Sequence, residues 1–312
     1  MRIVFMGTPE FAVPSFKALL DEGYEVAALV TQPDRPVGRK RQLTPPPTKL
    51  LALERGVPVL QFEKLRTRQG REALEALRPD LMVTAAFGQI LSQRILDIPP
   101  LGVINVHASL LPKYRGSAPI HWCLVNGERQ TGITTMYTER GVDIGPMLLQ
   151  ASTPIGEEEN AEQLSARLSV LGAELLLRTL RALQAGQLHP IVQREEESSY
   201  FPMLTKEMGR MDFSRSCIQL HNQVRGLQPW PGTYFDHAGG AVKVFAARPR
   251  EDVQASPGQV LPQGPGGGLL VGCGQGALEI LEMQAPGAKR MRAADYLRGK
   301  PIAPGTILGE TR

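Results

Sequence analysis

Cysteine is scarce: Cys123, Cys217 and Cys273 are the only three in 312 residues, an odd number, widely separated and without a CxxC pair. That argues against a disulfide framework and against cysteine-based zinc sites, and it fits a reducing cytoplasm. No apolar run approaches the ~18 residues that a membrane-spanning helix needs. No basic leader or small-residue cleavage site accompanies the strand-like Arg2-Ile-Val-Phe-Met6, so a soluble, unexported protein with no membrane partner is expected. Histidine is thin as well. His121, His189, His221 and His237 stand apart without metal-ligand spacing, and no metal is expected. The turn after the first strand reads Gly7-Thr8-Pro9-Glu10, with no GxGxxG, and the second strand ends in Thr31-Gln-Pro-Asp34 in place of a pocket-forming acid. A nicotinamide dehydrogenase is therefore disfavoured.

What is present points to two domains. With 42% hydrophobic residues, 312 residues can bury one large core or two moderate ones, and the length favours two. The net charge of +4 is unevenly placed: residues 206–312 hold 13 Lys and Arg against 9 Asp and Glu, while residues 1–205 hold 22 of each. A basic surplus in one segment is either a solvated surface or a polyanion-facing module, and composition does not decide between them.

The first 150 residues alternate strand and helix patterns: strands at 2–6, 25–30, 57–60, 81–85 and 103–106, helices near 9–22, 48–55, 69–78 and 91–96. Such alternation predicts an α/β fold, a Rossmann-like parallel sheet wrapped by helices. Thr8 and Pro9 read as the N-cap and first residue of a helix. Residues 117–125 read as a short helix, 132–138 and 147–152 as strands, and 161–185 as a long amphipathic helix stopped by Gly186. Residues 193–205 are polar and lack periodicity, which divides the chain into a catalytic domain (1–192), a linker (193–205) and a C-terminal domain (206–312). In the last, a short helix near 216–227 precedes five brief strand-like runs at 232–236, 242–247, 258–261, 269–273 and 277–283, separated by Gly/Pro turns. They predict a small OB-like β-barrel. Trp122 and Trp230 read as packing anchors, with Trp230 beside two prolines also able to buttress a domain interface.

Chemistry concentrates in Asn105-Val-His107-Ala-Ser-Leu-Leu-Pro112 and in Asp143 between Gly141 and Gly145. On a strand, residues i and i+2 share a face, so Asn105 and His107 aim into one cleft. Read singly, Asn105 caps a strand end, His107 is satisfied by backbone and Asp143 is a turn residue. Together they suit acyl chemistry. An amide can stabilise a developing oxyanion, a contact whose removal typically costs about 2.7–4 kcal/mol. An imidazole, titrating near ~6.5, can move a proton, and a carboxylate can hold it in place.

The run Asn105-Val-His107, Ser109-Leu-Leu-Pro112, Tyr114-Arg-Gly-Ser-Ala-Pro119, with Asp143 in Gly141-Val-Asp-Ile-Gly145, resembles the signature of 10-formyltetrahydrofolate-dependent formyltransferases. The likeness extends from Phe5-Met-Gly-Thr-Pro-Glu-Phe11 through Leu204-Thr-Lys206 and Pro229-Trp-Pro231 to Ala285-Pro-Gly-Ala-Lys289. It departs at Gln228, where asparagine is usual, and in the glycine-rich loop 264–268. The resemblance implies that Asn105, His107 and Asp143 form the catalytic triad of formyl transfer. It implies that Ser109, Leu110, Leu111 and Pro112 contact the folate, with Phe87 and Gly88 as candidates for the pteridine pocket. The cosubstrate would be 10-formyltetrahydrofolate, with no metal.

Length sets aside glycinamide ribonucleotide enzymes, which resemble only the first domain, and the much longer folate hydrolase-dehydrogenases. A nucleotide-sugar amine and the α-amine of methionyl-initiator tRNA remain as acceptors. A noncatalytic RNA-binding protein on the same scaffold is a third reading, which the intact triad disfavours. The segment Thr31 to Lys49 carries five cations, Arg35, Arg39, Lys40, Arg41 and Lys49, against one acid, Asp34. It is either an exposed loop or a phosphate-facing surface. It resembles the loop with which the tRNA-acting members of the family engage the acceptor arm, and that resemblance favours tRNA, with Lys206 a further contact. A monomer is the family-based expectation.

Overall fold

The structure is a computed structural model that describes residues 1–38 and 41–309. In chain order the α/β part comprises β1 (Arg2–Gly7), α1 (Val13–Asp21), β2 (Glu25–Thr31), β3 (Arg35–Val37), β4 (Gln42–Thr44), α2 (Pro47–Glu54), β5 (Val59–Gln61) and α3 (Arg68–Leu77). It continues with β6 (Leu81–Ala85), α4 (Gln93–Leu96), β7 (Val103–His107), β8 (Arg115–Gly116), α5 (Pro119–Val125), β9 (Gln130–Tyr137), β10 (Met147–Pro154), α6 (Ala161–Gln184) and β11 (Tyr200–Phe201). The remainder holds α7 (Cys217–Gly226), β12 (Thr233–His237), β13 (Gly240–Arg250), β14 (Leu269–Gly272), β15 (Ala277–Gln284), β16 (Met291–Arg292) and α8 (Ala293–Gly299). The chain packs as two compact units. The first takes residues 1–119, 130–154 and 165–201, the second 120–129, 155–164 and the segment from Pro202 onward.

In the first unit seven strands run in the order β10-β9-β7-β6-β1-β2-β5. The central strands are apolar on both faces: Ile3, Val4, Phe5 and Met6, and likewise Leu81, Met82 and Val83, are fully buried. Burial on both sides is what a parallel sheet covered by helices requires. From β7 to β5 the sheet is parallel, as expected. Its other edge is not, because β9 runs antiparallel to both β7 and β10. The connection from Tyr137 to Met147 carries no helix, and so short a link turns the chain back without the crossover that parallel pairing needs.

Local signals explain most helix ends. Asn160 and Gln163 cap α6 reciprocally, each side-chain oxygen accepting from the other's backbone N–H at 2.9 and 3.0 Å. Gly186, in the left-handed region at φ 65, follows its end. Thr8 does not cap a helix. Its hydroxyl instead accepts from Gln32 N at 3.2 Å and lies 3.3 Å from the Thr31 hydroxyl, tying the end of β1 to the end of β2, while a 3-10 turn over Glu10–Ala12 leads into α1.

The second unit is built on an antiparallel sheet in the order β12-β13-β15-β14, with β16 added against β15. Its helix α7 starts at a Ser216/Gln219 capping box. Four of the five predicted strands form; the run 258–261 makes only isolated bridges, Gln259 to Ile307 and Val260 to Val271. Pro257 and Pro262 flank it, and a residue without an N–H cannot extend a ladder. Trp230 is 56% exposed and anchors no core; Pro229 and Pro231 keep its neighbours out of the sheet for the same reason. Phe235, fully buried, shares this core with Val242, Val244, Val271, Leu278 and Ile280. Phe235→Ala is expected to cost about 3–5 kcal/mol, read as a lower denaturation midpoint in urea.

Candidate active site

The strand order reverses between β1 and β6, and an open α/β sheet opens a crevice at the carboxyl ends of the strands at such a point. Gly7, Thr31, Ala85 and His107 close the parallel strands at that edge. Four of the segments singled out by sequence leave from it: Thr8-Pro9, the basic loop, Ala86 to Gly88, and the run from Ala108 to Gly116. A depression of about 700 Å3 lined by Arg71, Glu75, Arg78, Asp80, Arg94 and Asp97 lies instead where β6 begins, at the other end of the strands. Three guanidinia against three carboxylates give it no excess charge for an anion.

Asn105 and His107 occupy the last turn of the β7 pleat. Across the ladder Asn105 faces Thr84, whose hydroxyl donates to Oδ1 at 2.9 Å. That bond turns the carboxamide so that its Nδ2 donor points away from Thr84, and among the described residues nothing takes it up. His107 is 5% exposed, with Nε2 2.9 Å from the Tyr114 carbonyl oxygen. A carbonyl only accepts, so Nε2 carries the hydrogen, and in the neutral ring the free lone pair is on Nδ1. Nδ1 stands 3.7 Å from Asp143 Oδ1, beyond direct hydrogen-bond length but close enough for a charge on the ring to be felt.

Asp143 lies in the loop between β9 and β10, at φ 53 in the left-handed region that aspartate tolerates better than most residues. Its Oδ2 accepts from Gly116 N at 2.9 Å. Gly145 beside it must be glycine, since a Cβ would stand 1.9 Å from the Tyr137 carbonyl oxygen.

The loop after β7 is held from within. Ser109 is buried and its hydroxyl donates to Lys113 O at 2.7 Å, so it shapes the loop. Thr134, which sequence reading missed, donates to Ser109 O at 2.7 Å and accepts from Leu111 N at 3.1 Å. Leu111 is buried, Leu110 and Pro112 half-buried, and Gln150 Nε2 reaches Leu111 O at 2.8 Å. Phe87 lies in the hydrophobic core beside Leu91, Ile95 and Val103, with only its carbonyl engaged, by Gln32 Nε2 at 3.3 Å. Gly88 is exposed at φ 77, and no atom comes nearer than 3.9 Å to where a Cβ would stand.

In the basic loop, β3 and β4 pair antiparallel and are exposed, where the sequence predicts a loop. Arg39 and Lys40 lie outside the described residues. Arg41 is exposed, and Arg35 makes an exposed pair with Glu63 at 2.6 Å, of the kind that contributes little and exchanges readily for another anion. Lys49 is engaged within the loop, its ammonium 2.8 and 2.9 Å from the Asp34 oxygens and 3.0 Å from Gln61 Oε1. Hydrogen bonds from Gln61 and then Lys49 hold the Asp34 carboxyl below its usual range. Lys206 is exposed on a 3-10 turn of the second unit. All three cysteines are buried and free, and among the described residues no cluster of His, Cys, Asp or Glu is arranged to hold a metal. No helix there is long and apolar enough to cross a membrane.

Comparison with known proteins gives the family. The chain belongs to the formyl transferase family, matching the formyl transferase domain over residues 1–180 and the formyl transferase C-terminal domain over residues 203–301. It is 52% identical to the methionyl-tRNA formyltransferase of Pelobacter propionicus over 98% of this chain and 96% of that one. With the methionyl-tRNA formyltransferase of Trichlorobacter lovleyi the identity is 49%, at the same coverage. Among solved structures, the N-formyltransferase of Helicobacter canadensis in complex with folinic acid and dTDP-3-aminofucose superposes with a TM-score of 0.66 over 93% of this chain and 99% of that one. It shares only 17% of residues, and the likeness is one of fold.

Proposed function

We propose that this chain transfers the formyl group of 10-formyltetrahydrofolate to the α-amine of methionyl-initiator tRNA, giving N-formylmethionyl-tRNA for translation initiation. The observation that carries this reading is the end-to-end agreement, at about half identity, with methionyl-tRNA formyltransferases through both domains. The sugar-acting structure shares the fold at 17% identity.

The folate would supply an activated formyl carbon, and the residues present fit it: the open backbone at Gly88 and the braced loop from Ser109 to Pro112 would hold it. As the amine adds to that carbon, its carbonyl oxygen gains charge, and Asn105 Nδ2 donates to it. His107 adds to this polar field, and its Nδ1, available because Nε2–H is committed to Tyr114, takes the proton that the amine loses and returns it to N10 of the folate as the carbon–N10 bond breaks and tetrahydrofolate leaves. Asp143 supports the ring electrostatically across 3.7 Å. No step needs a metal. The protein works in the cytoplasm as a monomer, which sedimentation of the purified chain would check.

A single assay tests the acceptor: 10-formyltetrahydrofolate with methionyl-tRNA or with an amino-sugar nucleotide. Formylation of the tRNA alone is expected, and formylation of the sugar alone would replace this reading by that of a sugar N-formyltransferase. Arg35, Arg39, Lys40 and Arg41 supply phosphate contacts, with Lys49 bracing the loop and Lys206 adding charge from the second unit. Arg39→Ala and Arg41→Ala should each raise KM for tRNA and leave folate binding unchanged. Affinity for tRNA should fall by roughly 0.7–0.9 log units per log unit of salt for each phosphate contact made; a flat salt response would remove phosphate contacts from the account.

A further inference from the structure

Two carbonyl groups of the loop that carries Asp143 are bound by one side chain from a distant part of the sequence. Gln193 Nε2 donates to Asp143 O and to Gly145 O, both at 2.8 Å, and spans the turn between them. Its Oε1 accepts from Arg115 Nε at 2.9 Å. Arg115 in turn donates from Nη1 to Glu195 Oε2 at 2.7 Å, and this contact pulls the Glu195 carboxyl below its usual range. Gln193 and Arg115 are 8% and 5% exposed. A guanidinium only donates, so Oε1 must face Arg115 and the two N–H donors must face the loop. The amide has one orientation, set by its neighbour.

The same short segment fixes the carboxylate. Gly116, next to Arg115 on β8, donates its N–H to Asp143 Oδ2, and β8 pairs with β11, at the far end of the segment that begins with Gln193. The Asp143 loop has little packing of its own, since Val142 and Ile144 are both exposed. Hydrogen bonds therefore hold a residue whose backbone sits at φ 53. Gln193 holds its main chain and Gly116 its side chain.

We propose that Gln193, oriented by Arg115, is a positioning residue that sets the Asp143 carboxylate opposite His107 Nδ1. This rests on the reading of Asp143 as part of the formyl-transfer machinery. A buried amide with satisfied partners is often only a brace, and a brace affects stability. A positioning residue affects turnover through the group it positions.

The test uses the full chain with 10-formyltetrahydrofolate and methionyl-tRNA. Gln193→Met keeps the side-chain length and removes every hydrogen bond. It is expected to lower kcat by about 10- to 100-fold, with KM for both substrates within about twofold and a changed pH profile of kcat. Gln193→Glu keeps the shape and the Arg115 contact but turns the donor into a carboxylate facing two carbonyls, so it serves should the Met variant fold poorly. Its deficit relative to wild type should shrink as the pH is lowered and the carboxyl gains a proton. In an Asp143→Ala background, Gln193→Met should cost little more than Asp143→Ala alone, because residues acting as one unit are not additive.

Wild-type kcat in the Met variant, a pH-independent deficit in the Glu variant, or losses that multiply in the double variant would each overturn the proposal. If Asp143→Ala itself keeps wild-type turnover, the reading of Asp143 fails. If Asp143→Ala is impaired while the Gln193 variants are not, only the present inference fails.

Discussion

Asn105→Ala is expected to lower kcat by about 10²- to 10³-fold, the ~2.7–4 kcal/mol that a preorganised oxyanion donor supplies. The geometry is specific about why. The Thr84 hydroxyl at 2.9 Å holds Oδ1 and so turns Nδ2 away from Thr84, and a donor fixed before reaction needs no reorganisation when charge develops. Asn105→Asp keeps the volume and exchanges the donor for a negative charge, and should be at least as damaging. Stability should change far less, since Asn105 is half-buried and Thr84 loses one hydrogen bond, a net term of about 0.5–1.5 kcal/mol. Single-turnover formylation of methionyl-tRNA, measured beside thermal melting, separates the two effects. Near-normal turnover would take Asn105 out of the chemistry.

His107→Ala should cost about 10²- to 10⁴-fold in kcat, the range of a lost general acid or base. It also removes the hydrogen bond between Nε2 and the Tyr114 carbonyl, a net stability term of about 0.5–1.5 kcal/mol. A kcat ratio read well below the melting point isolates the chemical part. The diagnostic readout is the pH dependence: any limb of the wild-type profile due to the imidazole should vanish in the variant. A profile of unchanged shape would assign proton transfer to another group, and His107 would then act only through hydrogen bonding.

Much of this was legible in the chain itself. Fully apolar runs such as Ile3 to Met6 announce central strands because burial on both faces leaves no polar position. The long helix α6 was readable because Gly186 terminates it and its apolar positions recur at helical spacing. Asn105 and His107 were readable as a pair because the pleat repeats every second residue. What escaped had no local signature. The 258–261 run has strand-like residues, but its flanking prolines decide the outcome. The antiparallel edge at β9 and β10 depends on connection length. Gln193 and Glu195 sit in a polar stretch without periodicity, and a segment read only for its composition looks like a linker even where residues 193–201 pack in the first unit.

The division has a physical cause. Sequence alone determined most of the elements, the class of the fold, the Asn105–His107 pair and the basic loop, because strand pleat, helix period, caps and charge are properties of residues near one another along the chain. Tertiary structure decided which ring nitrogen of His107 is free, which way the Asn105 and Gln193 amides face, and that Lys49 is engaged by Asp34. It also set Asp143 opposite His107. Each of these depends on a hydrogen bond or ion pair between groups that folding brings together from distant points, as with Gln193 and Asp143, 50 residues apart, and no local pattern encodes such a meeting.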